Sequence, residues 1–247
     1  MSEKAEVTRN KKNAIILREE NPNEKGYQTT NKVFVRGIIE DELEYSHTIL
    51  WEKFYRTKII IKRLSGTKDY IPILISEFLI SEKIMNKSLK NKWVEGFGQF
   101  RSHNSKMNED GKSHLDLYVF ITDINIYENE YEMEENEKAN NMIYLDGYIC
   151  KQPIFRQTPS ERKITDLLIA VNRSYGKADY IPCIAWGRVA EWAAYLDIGT
   201  RVELNGRIQS RKYLKKPFPD SEVGERKIAY EVSITRMQKV LLLETKL

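Results

Sequence analysis

The chain has 247 residues, of which 41% are hydrophobic and 31% charged, and a formal net charge of +4. This apolar content excludes a disordered chain, and no apolar run reaches the roughly 18 residues that a membrane helix needs. The charged amino terminus predicts no secretory signal. Cys150 and Cys183 lie in apolar, strand-like segments, which predicts buried reduced thiols and a cytoplasmic location.

The sequence contains two copies of one unit. The segment Asp69–Pro72 recurs letter for letter as Asp179–Pro182, 110 positions later, and its surroundings repeat in the same register. A unit of this length can form one small domain with its own core. We therefore predict a polar arm over residues 1–30, a divergent domain over 31–127, an acidic linker over 128–140 and a second domain over 141–247.

The first repeat predicts five strands and one helix. Its strand-like runs are rich in β-branched and bulky apolar residues, and a helix is expected between the third and fourth. The predicted strands are Lys32–Ile39, Thr57–Arg63, Asp69–Ser76, Lys92–Phe100 and Leu115–Tyr127, and the helix lies near Glu77–Ser88.

The segment between the repeats, residues 128–140, contains six Glu. Such a run of like charge usually forms a solvated tether. The alternative is that it competes with nucleic acid for a basic groove, since the positive charge of the chain is concentrated in the second repeat.

The second repeat predicts the same order of elements. A helix is expected around Val189–Leu196, with Trp192 on its apolar, core-facing side. Three strands, a helix and two strands is the order of the OB-fold, a five-stranded Greek-key barrel. The predicted fold class is therefore all-β, with two tandem OB-folds. The strands of the second repeat are Met142–Cys150, Ile164–Asn172, Asp179–Trp186, Arg201–Arg211 and Lys227–Val240.

Four motifs follow one another through the second repeat. They are Leu145-x-Gly147 with Arg156-x-Thr158-Pro159, then Leu168–Arg173, Ala178–Gly187 and Gly206–Tyr213. In this order they resemble the bacterial single-stranded DNA-binding protein (SSB) family. The first repeat resembles it only weakly, because Ser76 stands where the second repeat has Trp186. The whole chain is similar to the two-domain SSB-like proteins of some bacteria.

The resemblance implies a function and an assembly. It implies sequence-tolerant binding of single-stranded DNA, without catalysis or cofactor, in replication, recombination or repair. Since single-domain members assemble as tetramers, it also implies a homodimer that carries four OB-folds. The carboxyl end, Val240–Leu247, lacks the acidic, Phe-terminated tip typical of the family, so we expect no recruiting role for it.

A single-strand site needs cations along the phosphates and rings for the unpaired bases. Strand alternation places Tyr180 and Trp186 on one side of the sheet, and Trp186 suits core packing equally well. The first repeat keeps fewer rings, so we expect it to bind weakly or to serve in assembly. The predicted nucleic-acid-binding residues are Arg156, Arg173, Tyr175, Lys177, Tyr180, Trp186, Arg188, Arg207, Arg211 and Tyr213, with Lys62, Arg63 and Tyr70 in the first repeat.

Two other functions fit tandem OB-folds. One is an interaction subunit of a replication or primosome-type complex, which the near-balanced charge of the first repeat favours. The other is RNA binding, since OB-folds accept either polymer. An enzyme is not expected, because Gly111-Lys112-Ser113 lacks the glycine that a phosphate loop requires at position 106, and the three His show no zinc-ligand spacing.

Overall fold

The computed structural model describes residues 30–83, 88–104, 115–129, 140–173, 176–215 and 224–241. The predicted arm and most of the acidic linker lie outside these ranges. Among the described residues, each repeat contains six strands and one helix. The first repeat comprises β1 (Asn31–Ile39), β2 (Glu44–Ile49), β3 (Glu52–Lys62), β4 (Lys68–Ser76), α1 (Glu77–Lys83), β5 (Trp93–Asn104) and β6 (Leu115–Tyr127).

The second repeat follows the same plan. It comprises β7 (Asn141–Ile149), β8 (Ile154–Gln157), β9 (Lys163–Asn172), β10 (Ala178–Trp186), α2 (Gly187–Ala193), β11 (Arg201–Lys215) and β12 (Glu225–Lys239). The five strands predicted for each repeat are present, together with the short strands β2 and β8, which were not predicted. Neither of these two strands contains a buried residue. Their sequences therefore lack the alternation of apolar residues that marks a strand packed on a core.

Each repeat closes into a barrel in the same way. In the first, β1 pairs with both β3 and β5, and β4 runs parallel to β6. In the second, β7 pairs with β9 and β11, and β10 runs parallel to β12. Where β7 crosses β9, a side chain at Gly147 would bring its Cβ within 2.5 Å of the Ala170 carbonyl oxygen. Only glycine permits this close approach of the two strands.

The barrel interiors are filled by alternate residues of the strands. Ile59 and Phe100 are fully buried in the first repeat, and Leu145 and Ile208 are fully buried in the second. The prediction that Trp192 belongs to the core is wrong, since 39% of it is exposed. Helix α2 turns its small residues Ala190 and Ala193 inward instead, which leaves the indole at the surface.

The two barrels are joined by strands β1 and β7, which pair in an antiparallel ladder and complete one 12-stranded sheet. Val33 lies opposite Ile143, its own counterpart in the repeat. Asn31 lies opposite Leu145, and Val35 lies opposite Asn141. Asn141 is the repeat counterpart of Asn31 and Leu145 that of Val35, so the 110-residue repeat converts each of these pairs into the other. The repeats are therefore related by a local twofold axis that runs between β1 and β7.

Two buried aspartates fasten the repeats across this axis. Asp179 is fully buried, and its Oδ1 accepts the backbone N–H of Ser102 in the first repeat at 2.6 Å. Asp69 is also fully buried, and its Oδ1 accepts the N–H of Ser210 in the second repeat at 2.7 Å. The structure therefore explains why the Asp-Tyr-Ile-Pro segment occurs in both repeats, because each copy supplies a carboxylate to the opposite barrel.

Candidate nucleic-acid interface

In the part of the chain that the structure describes, a groove lies on each barrel, and the opposite repeat supplies part of its rim. The second-repeat groove has a volume of about 660 Å³. Cations lie along it from both repeats, and they include Arg162 and Lys212, which were not predicted. The residues that line it are Arg162, Trp186, Arg207, Gln209, Ser210, Arg211, Lys212, Ser233, Ile234 and Thr235, with Arg63 and Thr67 from the first repeat.

Trp186 lies at the end of β10, where helix α2 begins. Its indole is half-buried, and Nε1 donates a hydrogen bond to the hydroxyl of Ser233 at 3.1 Å. A buried tryptophan normally satisfies its N–H in this way, and here the bond fixes the ring at the groove wall. The arrangement keeps the indole out of the barrel interior and beside the groove cations.

Arg207 lies on β11, and its half-buried guanidinium lines this groove. Its Nε atom is buried, and it has no hydrogen-bond partner among the described residues. Burial lowers the pKa of the guanidinium, the charge of Arg63 lowers it further, and Asp69 partly opposes both effects. Because arginine stays charged at any physiological pH, the groove holds a half-buried positive charge that can accept an anion.

Four of the predicted arginines are paired with carboxylates, and the longest of these contacts joins Arg211 to Glu231 at 3.9 Å. Arg63 lines the second-repeat groove and donates two hydrogen bonds of 2.6 Å to Asp69. Arg173 forms the equivalent pair with Asp179 and also donates to the carbonyl of Ser102 across the axis at 2.6 Å. The third pair joins Arg156 to Asp166 at the sheet edge, where the guanidinium is half exposed.

Of the other predicted residues, Lys177 lines the first-repeat groove and Arg211 the second-repeat groove. The remainder that the structure describes line neither groove, namely Lys62, Tyr70, Tyr180, Arg188 and Tyr213. Tyr180 is 43% exposed. The half-buried Tyr213 stands under the Arg211 guanidinium at 5.8 Å, and the Lys212 ammonium of the second repeat lies 5.7 Å from the ring centre of Tyr70 in the first. Tyr175 lies outside the described residues. The side chains of Lys62, Lys177 and Arg188 are exposed.

The first-repeat groove has a volume of about 490 Å³ and a different lining. It has more rings and fewer cations than the other groove. The residues that line it are Thr30, Asn31, His47, Ile49, Phe54, Leu74, Gln99, Arg101, Tyr118 and Phe120, with Asn172, Arg173, Lys177 and Asp179 from the second repeat. The alternation of Tyr118 and Phe120 on β6 is the sequence signal that could have revealed these rings.

Two features are absent from the described residues. No cluster of three or more His, Cys, Asp or Glu side chains is suited to bind a metal ion. Neither described helix has the length and apolar character that crossing a bilayer requires.

The fold and the two grooves define a tandem OB-fold protein. Its architecture is shared with the solved structure of the wild-type single-stranded DNA binding protein from Thermus aquaticus, with a TM-score of 0.66 over 88% of this chain and 96% of that one. The two sequences are 17% identical, so this likeness establishes the fold. The prediction of an all-β chain with tandem OB-folds is confirmed.

Sequence comparison identifies the family. Residues 140–240 match the single-strand binding protein family. Single-stranded DNA-binding protein A of Bacillus subtilis is 31% identical over 40% of this chain and 58% of its own length. Protein B of the same organism is 36% identical over 30% of this chain and 71% of its own length. The chain belongs to the single-strand binding protein family. It spans 50–59% of the length of several relatives that it matches, protein A among them.

Proposed function

We propose that the protein binds single-stranded DNA with little sequence preference, and that it coats and protects exposed strands in replication, recombination or repair. The observation that carries the proposal is the second-repeat groove, where Trp186 stands beside the half-buried charge of Arg207, whose Nε has no hydrogen-bond partner among the described residues. Bases can stack on the ring while phosphates neutralise the cations. The names of the Bacillus relatives support the same ligand.

The proposed role is non-catalytic and cytoplasmic. It requires binding surfaces only, and no step of it needs a cofactor. The two cysteines, Cys150 and Cys183, are both unpaired, which suits a reducing compartment.

The proposed assembly is a homodimer with four OB-folds. Its support is the outer face of the central strands, where the ring centres of Phe34 and Phe97 lie 5.1 Å apart. Phe97 and Tyr148 are each 39% exposed on this face. The ion pairs Arg36–Glu95 and Arg201–Asp146 flank the rings. Partly exposed rings and ion pairs on one face of the sheet suit an isologous contact with a second copy.

Replacing Trp186 with alanine tests the groove. The loss of one stacked base is expected to weaken binding to a dT oligomer by about 1–3 kcal/mol, which fluorescence anisotropy of a labelled oligomer measures. Tyr195→Ala is the matched control, because Tyr195 is 86% exposed and lines neither groove. An unchanged affinity in a folded Trp186→Ala variant would show that the ring does not contact the strand.

A further inference from the structure

Strands β2 and β8 lie at the two ends of the 12-stranded sheet. Each pairs with a single neighbour, β2 with β3 and β8 with β9. Their outer edges therefore carry backbone groups that have no strand partner among the described residues. The two strands are also counterparts in the 110-residue repeat, since β2 begins at Glu44 and β8 begins at Ile154.

The end of the sheet formed by β2 is acidic. Residues 40–52, which include β2, contain five acidic residues and no Lys or Arg. Two of the five, Glu40 and Asp41, lie within 4.0 Å of the Lys58 ammonium. The other three are exposed and form no ion pair with a described residue, namely Glu42, Glu44 and Glu52. We call residues 40–52 the acidic edge.

The end formed by β8 has the opposite charge. Residues 151–163, which include β8, contain four Lys or Arg and one acidic residue. Arg156 and Lys163 pair with carboxylates of β9 and α2. Lys151 and Arg162 are exposed, and neither forms an ion pair within the described ranges. We call residues 151–163 the basic edge.

Both edges also carry large apolar side chains that are exposed. Tyr45, Leu50 and Trp51 at the acidic edge are 60%, 91% and 97% exposed, and Ile154 and Phe155 at the basic edge are 62% and 46% exposed. The turn residues Leu50 and Trp51 have positive φ angles of 47° and 71°, where Asn-Gly is the usual choice. Apolar side chains kept exposed in this way favour a contact that removes them from water.

The charges of the two edges decide which surfaces can meet. A contact between two acidic edges, or between two basic edges, would bring like charges together, which disfavours association. An acidic edge against a basic edge joins opposite charges and covers apolar side chains on both sides. The junction inside the chain is built in the same way, since the counterpart strands β1 and β7 pair there. The partner that complements each edge is therefore the other edge of a second copy.

We propose that copies of this protein associate head to tail, with the acidic edge of one copy against the basic edge of the next. Because the two surfaces differ, the contact is heterologous and can repeat from copy to copy in an open row. It is distinct from the homodimer contact, which uses the outer face of the central strands. Its role rests on the proposed function, since a row of linked copies coats a strand cooperatively.

Sedimentation velocity of the DNA-free protein tests the contact. The parent protein is expected to form species that grow with protein concentration and disappear at high salt, where charge attraction is screened. Glu42→Lys/Glu44→Lys and Lys151→Glu/Lys163→Glu should each weaken association by at least about tenfold, because like charges then meet. An equimolar mixture of the two variants should associate again, since each variant keeps the edge that the other has lost.

Arg236→Glu/Lys239→Glu is the matched control. It makes the same charge change as the basic-edge variant, but on exposed positions of β12, an interior strand of the sheet. This control should associate like the parent protein. Association that survives in both edge variants, a mixture that stays dissociated, or a parent protein that forms no concentration-dependent species would overturn the head-to-tail contact.

Binding of a short dT oligomer separates this inference from the proposed function. The four residues changed in the edge variants line neither groove, so both variants should bind an oligomer that one copy covers as tightly as the parent protein. On long dT, both should lose the cooperativity of the parent protein. A parent protein that binds no dT would overturn the proposed function, whereas the DNA-free sedimentation decides the contact independently.

Discussion

Replacing Asp179 with alanine is expected to lower the free energy of unfolding by about 3 kcal/mol or more. The carboxylate is fully buried, and it accepts hydrogen bonds from Arg101, Arg173 and the backbone N–H of Ser102. Removing one partner of a buried ion pair leaves charges without compensation, which costs far more than losing a surface pair. Urea unfolding followed by circular dichroism measures the loss.

Asp166→Ala is the matched control for this experiment. Asp166 pairs with Arg156 in the same two-bond geometry, but both side chains are more than one third exposed. Exposed pairs contribute about 0–1 kcal/mol, so this variant should unfold close to the parent protein. Equal losses in the two variants would show that Asp179 does not fasten the repeats.

Replacing Arg207 with methionine is expected to weaken binding to single-stranded DNA by about 1.5–3 kcal/mol, the contribution of a hydrogen bond to a charged group. The slope of log affinity against log salt should also become shallower by about 0.7. The free energy of unfolding should not fall in this variant, because burial already disfavours the Arg207 charge and its Nε has no hydrogen-bond partner among the described residues. Methionine retains much of the apolar stem.

Arg236→Met provides the comparison for Arg207. Arg236 is exposed on β12, and its side chain does not line the groove. Salt titrations of both variants with the same dT oligomer should therefore differ. If Arg207→Met binds like the parent protein at every salt concentration, or if it loses stability instead, Arg207 is a structural residue and does not contact phosphate.

The repeat and the strand order could be predicted from the sequence, because both depend on patterns of neighbouring residues. Alternation correctly placed Arg207 and Arg211 on one side of β11, and both line the groove beside Trp186. It could not show which cation lacks a counter-charge, since the partners of Arg63 and Arg173 depend on the tertiary fold.

The junction between the repeats was not predicted, because it depends on contacts between distant residues. The recurrence of Asp69 as Asp179 was visible in the sequence, but the N–H groups that they accept belong to the opposite repeat, more than 70 residues away. The rings of the first-repeat groove were missed for a related reason. The prediction followed the positions of the second repeat, whereas Tyr118 and Phe120 occupy others.

The central claim is that the second-repeat groove accepts unpaired bases, and one titration tests it most directly. The parent protein is titrated with dT, with a duplex of the same length and with single-stranded RNA at several salt concentrations, while tryptophan fluorescence is followed. We expect tight, salt-sensitive binding of dT with quenching, and much weaker binding of the duplex. A duplex that binds as tightly as dT, without quenching, would contradict this account.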